Sequence, residues 1–320
     1  MELEEFHRVR GQVLSLYRQG RYGEALQAAL AAKESFPEKE GEVSFWIACL
    51  FCRLGDPEGG LKILQEALER GHWWGERSLL NDPDLEPIRK RLEFKRLLEV
   101  CKDRQKAAQA QAKPDLLLLP PKRREEKFPL LIALHWFGGT AQAFAPYWEA
   151  AREQGFLLAV PQSSQVESED GFGWTDRERA RKELAAHWEK LKSEKRVDPK
   201  RVILAGASQG GALAIELALS GEPIPALGFI AVVPAIRDPK GLAELAKGAA
   251  KRGVRGMVIT GEYDHFRSTA EAFHTYAQEA GLRCTLEVVP GLSHDFPDGF
   301  PSRLNKALRF LLAGESFHED

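Results

Sequence analysis

The chain has 320 residues, 43% of them hydrophobic and 29% charged, and a formal net charge of −2. That length favours two domains. The balance is that of an ordinary soluble globular protein, with neither the basic excess that nucleic acid or an anionic membrane would call for nor an apolar run long enough to span a bilayer. Four cysteines are too few for a disulfide framework, and the acidic opening MELEEF does not read as a signal peptide, so a cytoplasmic, reducing setting is expected.

Residues 1–113 carry helical patterning and no strand signal. Gly20-Arg21-Tyr22 with Glu24, Ala25, Leu26 and Ala32 recurs as Gly55-Asp56-Pro57 with Glu58, Leu61 and Ala67, so Gly20/Gly55 and Ala32/Ala67 each stand 35 residues apart. With two helices per unit, this resembles the tetratricopeptide repeat, whose packing positions Tyr22, Ala25, Ala32 and Pro37 match in the first unit. The second unit departs from it, with Gly60 in place of the packing alanine and His72 in place of the closing proline. Cys49 and Cys52 form C-x-x-C inside a helical pattern without a second pair, which reads as a helix-face pair rather than a metal or redox centre. Residues 82–98 suggest a short ordered turn, capped by Asp82 and opened by Pro83, followed by an amphipathic helix, with Leu85, Ile88, Leu92 and Leu97 as the apolar stripe and Trp73 and Trp74 helping to close the stack. Gln105–Lys113 reads as a helix tail or linker. The helical module is expected to serve packing, self-association or a protein partner.

From Pro114 the pattern changes. Apolar β-like runs fall at Leu116–Leu119, Leu130–Leu134, Phe156–Val160, Val202–Ala205, Leu227–Val233, Met257–Thr260 and Thr285–Val289. Helical stretches alternate with them at Ala141–Gln154, Arg177–Lys195, Gly210–Leu219, Pro239–Lys251, Ser268–Ala280 and Pro301–Leu312. The charged segment KRREEK (122–127) reads as a hairpin-like turn between the first two strands. Alternating βα units with continuous apolar strands predict a mostly parallel sheet covered on both faces, with its chemistry at the carboxyl ends of the strands.

Those ends hold the polar residues that matter. Arg201–Gly211, RVILAGASQGG, is a strand, a sharp turn and a helix start, with Gly206, Ser208 and Gly210 spelling G-x-S-x-G. Asp264 follows the Met257–Thr260 strand, and His294 lies in the Gly-rich loop after Val288-Val289. A hydroxyl, an imidazole that takes and returns its proton, and a carboxylate that orients the imidazole are what acyl transfer by an activated serine needs. His265 follows the acid and is expected to line the site's mouth. His135 reads as a buried scaffold residue, and His187 and His274 as surface or packing. Glu262 stands early for the acid, Asp298 breaks the chain order, and Asp295 adjoins the base.

With GASQGG and LHWFGGT (134–140) on the page, residues 114–320 resemble the α/β-hydrolases, and among them the dienelactone hydrolase and phospholipase/carboxylesterase branch. The resemblance implies Ser208 as nucleophile, Asp264 as acid, His294 as general base, and an oxyanion hole from the Gln209 amide and that of Phe137, or of Trp136. Trp136 stands where the family has a glycine. The long polar loop 161–176 is expected to border a pocket, with Trp136, Phe172, Trp174 and His265 lining it and Asp176 capping the next helix. No metal or organic cofactor is expected. The substrate expected is a small-molecule carboxylic ester with a short or soluble acyl group. The alternatives are a peptidase or thioesterase, or an interaction module built on an inactive hydrolase shell.

Overall fold

The computed structural model describes residues 2–123 and 126–313. Its contacts divide the chain into two units, Met1–Ala112 with Val166–Glu169, and Lys113–Gln165 with Asp170–Asp320.

The first unit is helical: α1 (Glu2–Arg18), α2 (Tyr22–Ser35), α3 (Glu40–Arg53), α4 (Pro57–Glu69), α5 (Glu76–Asn81), α6 (Glu86–Arg89) and α7 (Leu92–Gln111). α2 packs on α1 and α3, and α3 on α4, around Ala25, Leu26, Ala29, Val43, Ile47 and Leu50. Gly20 and Gly55 both take left-handed φ (72° and 82°) in the turns between helix pairs, so the 35-residue spacing repeats a helix–turn–helix unit. At Gly60, α4 lies close against α3: an added Cβ would stand 2.9 Å from both the Ala48 carbonyl oxygen and Cys52 Sγ, so the contact is too tight for alanine. Residues 82–98 open on the expected capped turn, but the helical part that follows is split in two. Asp82 caps a single 3₁₀ turn (Pro83–Leu85), and after α6 the extended backbone at Arg91 redirects the chain into α7. Leu85, Ile88 and Leu97 are buried, but the redirection carries Leu92 off their stripe and leaves it 58% exposed. Asp84 is buried and accepts the Tyr17 hydroxyl and Arg53 Nε. Burial pushes the thiols of Cys49 and Cys52 up.

The second unit holds β1 (Asp115–Leu119), β2 (Phe128–Leu134), α8 (Ala141–Phe144), α9 (Glu149–Glu153), β3 (Leu157–Gln162), β5 (Gly171–Gly173), α10 (Arg177–Ser193), β6 (Val197–Ala207), α11 (Ser208–Ser220), β7 (Gly228–Val232), α12 (Pro239–Lys251), β8 (Arg255–Gly261), α13 (Arg267–Glu279), β9 (Arg283–Val289) and α14 (Phe300–Leu312), while β4 (Gln165–Ser168) falls almost wholly in the Val166–Glu169 segment grouped with the first. Seven strands form one sheet in the order β1-β3-β2-β6-β7-β8-β9. Every neighbouring pair is parallel except β1–β3. β1 therefore does not form a hairpin with β2, as the charge run at 122–127 suggested; it runs antiparallel beside β3, and residues 124–125 of that run lie outside the described residues.

One face of the sheet is covered by α10–α13, with Trp188, Leu213, Ile215 and Phe273 in the layer between. The other face carries α8, α9 and α14 over Phe144, Trp148, Phe156 and Leu308. The stretch expected as one helix over 141–154 is split into α8, a 3₁₀ turn (Ala145–Trp148) and α9, because Pro146 has no N–H to continue the ladder. The loop expected over 161–176 contains β4 and β5, and Asp176 caps α10 by accepting the Arg179 amide at 2.9 Å. No helix among the described residues is long and apolar enough to cross a membrane.

Candidate active site

The carboxyl ends of β2, β6, β8 and β9 bring the candidate residues together. β6 runs directly into α11, with Ser208 at the junction in a left-handed conformation, φ 52°. Few non-glycine residues adopt that conformation, and here the packing of strand against helix enforces it. An added Cβ on Gly206 would lie 2.6 Å from the Gly210 carbonyl, and one on Gly210 would lie 2.2 Å from the Leu134 oxygen and 2.4 Å from that of His135. The two glycines flanking the serine are therefore steric requirements of the elbow.

Ser208 Oγ is 2.8 Å from His294 Nε2, and His294 Nδ1 is 2.8 Å from Asp264 Oδ1. This network assigns the Nδ1–H tautomer, which leaves the Nε2 lone pair to accept from the serine. Asp264 is 5% exposed. It also accepts from Thr260 Oγ1 at 2.9 Å and the Phe266 amide at 3.0 Å. Burial pushes this carboxyl up, but His294, the Phe266 amide and the Thr260 hydroxyl together hold it below the ordinary aspartate value. The competing acids stand elsewhere. Glu262 is exposed and accepts the Gly291 amide, and Asp295 and Asp298 are exposed. His265 is exposed, with Nδ1 3.7 Å from Asp264 Oδ1. His274 Nε2 lies 3.1 Å from the Cys284 carbonyl oxygen, and His187 is buried in α10.

Gln209 stands in the first turn of α11, where a helix N–H has no partner within the helix. Its side chain is clamped. Oε1 accepts the Trp174 amide at 2.7 Å, and Nε2 donates to Thr175 Oγ1 at 3.2 Å. In the loop after β2, Trp136 does not take the left-handed conformation; Gly138 does, with φ 76°. The Gly138 amide donates to the Phe172 carbonyl at 2.8 Å and the Gly139 amide to that of Trp136 at 3.1 Å. Among the described residues, the amides of Trp136 and Phe137 have no backbone acceptor. The Trp136 ring stands edge-on to Phe144 and Tyr147, with Phe296 of the His294 loop 6.4 Å away.

Trp174, expected on the pocket wall, is fully buried. Its Nε1 donates to the His135 carbonyl at 2.9 Å while its amide donates to Gln209, so it ties the loop after β2 to the start of α11. Phe172 is half-buried and holds the same loop through its backbone. His135 is fully buried, with Nδ1 donating to the Trp136 carbonyl at 2.8 Å; burial drives its pKa down to about 4 and keeps the ring neutral.

Two features escaped the sequence reading. Thr260 bonds the acid from inside an apolar strand, where a hydroxyl was itself a signal. Val233, just past β7, holds φ 40°, a conformation that no pattern predicts for a β-branched residue. Two residues on, the Ala235 amide donates to the Ser208 carbonyl at 2.9 Å and braces the elbow.

Residues 5–109 match a family model described as the N-terminal domain of A/B hydrolase-like proteins. A stretch of 89 residues is 36% identical to a chloroplastic protein of Arabidopsis thaliana; it covers 27% of this chain and 26% of that protein, so only about a quarter of the relative's length is spanned. Among solved structures, an uncharacterized protein from Bacillus cereus ATCC 10987 is similar over 96% of this chain and 99% of its own, with 26% identity and a TM-score of 0.56. Esterase PE8 covers 63% of this chain and 99% of its own, at 22% identity and a TM-score of 0.51. Est1E from Butyrivibrio proteoclasticus covers 63% and 94%, at 17% identity and a TM-score of 0.51. The fold is that of an α/β-hydrolase with a helical N-terminal unit.

Proposed function

We propose that the chain is a serine hydrolase cleaving carboxylic esters through an acyl-enzyme. The observation that carries this reading is the unbroken relay Ser208 Oγ–His294 Nε2 and His294 Nδ1–Asp264 Oδ1, each step 2.8 Å, with the serine on a strained turn at a helix start. Ser208 attacks the ester carbonyl and His294 Nε2 takes its proton. Asp264 holds the imidazole in place and stabilises the imidazolium that forms. The negative charge on the tetrahedral oxygen is received by the amide of Gln209 and by that of Phe137, or of Trp136, in the loop after β2. Collapse returns the proton from His294 to the departing alkoxide. Water, activated by the same base, then releases the acid. The similarity of the fold to named esterases supports an ester substrate. Four free, buried cysteines support a reducing compartment.

The test is direct. A fluorophosphonate should label Ser208, and p-nitrophenyl esters of short acids should turn over. Ser208→Ala should abolish labelling and lower kcat by roughly 10⁴–10⁶-fold, the range seen when a triad serine is removed. Unchanged turnover in that variant, or none in a folded wild type, overturns the reading.

A further inference from the structure

We propose that Asp264, His265 and His294 form a site for a zinc-like divalent cation, and that its occupation switches the nucleophile off. The switching rests on the reading of His294 as general base; the binding does not. The three residues bring one ligand atom each to within 4.8 Å of one another. Asp264 Oδ1 lies 2.8 Å from His294 Nδ1 and 3.7 Å from His265 Nδ1. Ligands of one tetrahedral zinc, with bonds of about 2.0–2.2 Å, stand roughly 3.3–3.5 Å apart. The 3.7 Å pair is within a few tenths of an ångström of that spacing, and the 2.8 Å pair, a hydrogen bond in the metal-free protein, opens by about half an ångström as the ion takes the place of its proton. The His265 side chain is 66% exposed, and its ring lies 4.6 Å from that of His294 and 4.4 Å from that of Phe266. A hydrated ion therefore reaches the site from solvent, and a water completes its shell. Two imidazoles and one carboxylate select zinc, copper or nickel over magnesium and calcium, which want oxygen ligands.

The consequence follows from the tautomer. In the working enzyme, His294 Nδ1 carries the proton and Nε2 carries the lone pair that accepts from Ser208. A cation taking the Nδ1 lone pair obliges that proton to move, through solvent, to Nε2. The Nε2–H then points at Ser208 Oγ as a donor, and the serine has lost its base. The protein neither gains nor loses a proton, so removing the metal restores the original arrangement.

The test uses the full chain and Zn²⁺ alone. Competition with a chromogenic chelator measures binding. Ester turnover at graded Zn²⁺, with each variant referred to its own zinc-free rate, measures inhibition. One Zn²⁺ should bind per chain and abolish turnover, EDTA should restore it, and millimolar Mg²⁺ or Ca²⁺ should do neither. His265→Ala and His265→Gln should each weaken binding on the order of tenfold or more and raise the half-inhibiting Zn²⁺ by the same factor. No stoichiometric binding, equal affinity in both variants, or binding that leaves turnover intact would overturn the proposal. A zinc-free protein without esterase activity would sink the hydrolase reading instead, while the chelator competition still decides the site.

Discussion

The two halves of the proposed oxyanion pocket are built by opposite means. At the elbow, Gly206–Gly211, the backbone path is set by local sterics: strand meets helix so closely that the virtual Cβ of Gly210 falls 2.2 Å from the Leu134 oxygen. In the facing loop, His135–Thr140, nothing lies within 4 Å of a Cβ placed on Gly138, and the path is held from a distance. Phe172 clamps the Gly138 amide, and the Trp174 indole holds the His135 carbonyl. A short motif can dictate the first kind of structure. The second depends on partners more than 30 residues away, which no motif displays.

The sharpest way to break this contrast is to add the same methyl group to each half. Gly210→Ala pushes a carbon into the backbone of β2, a strand paired on both sides, so neither partner can yield. The expected cost is about 3 kcal/mol or more, read as a lowered urea midpoint with an unchanged slope. Gly138→Ala meets open space and bears only the penalty of a left-handed alanine, about 1 kcal/mol. Equal losses would mean that the elbow is no tighter than the loop.

The same contrast explains what the sequence disclosed. All seven strands of the main sheet were legible as apolar runs; the five inner strands are largely buried and have little choice of composition, while the edge strands β1 and β9 are apolar though only partly buried. Ser208, Asp264 and His294 were legible from their places just past strand ends. Trp174 was misplaced onto the pocket wall because an aromatic in a polar loop looks like a lining residue; both of its nitrogens donate to acceptors on distant parts of the chain, Gln209 and His135, which no local pattern displays. Leu92 was misplaced because helical periodicity assumes an unbroken helix, and the extended backbone at Arg91 breaks it.

Acid offers a second, smaller test, because the loop relies on a neutral imidazole. His135 titrates near 6.5 in the unfolded chain and near 4 when folded, so its contribution is complete above pH 6.5 and is lost as the pH falls toward 4. By pH 5 the wild type should have lost about 2 kcal/mol on this account. His135→Gln has no such proton to take up. The stability gap between wild type and variant should therefore shrink by that amount between pH 7.5 and pH 5 in parallel urea titrations. A constant gap would show that His135 is not held neutral.

Gln209 joins the two halves, and it gives the smallest and most discriminating effect. Its backbone belongs to the elbow, while its side chain grips Trp174 and Thr175 on the loop's side. Gln209→Met keeps the length and the backbone N–H but removes both hydrogen bonds. Deleting an oxyanion donor outright costs on the order of 10²–10³ in rate, and here the donor survives with only its support gone. A drop in kcat of about tenfold, some 1.4 kcal/mol, with KM nearly unchanged is expected. Gln209→Glu retains an acceptor for the Trp174 amide and can accept from the Thr175 hydroxyl, so it should recover part of the loss. If Met and Glu both match the wild type, the amide is aimed by the elbow alone, and the two halves of the pocket are independent structures. If Met is slow and Glu intermediate, the tight half of the pocket takes its final alignment from the loose one.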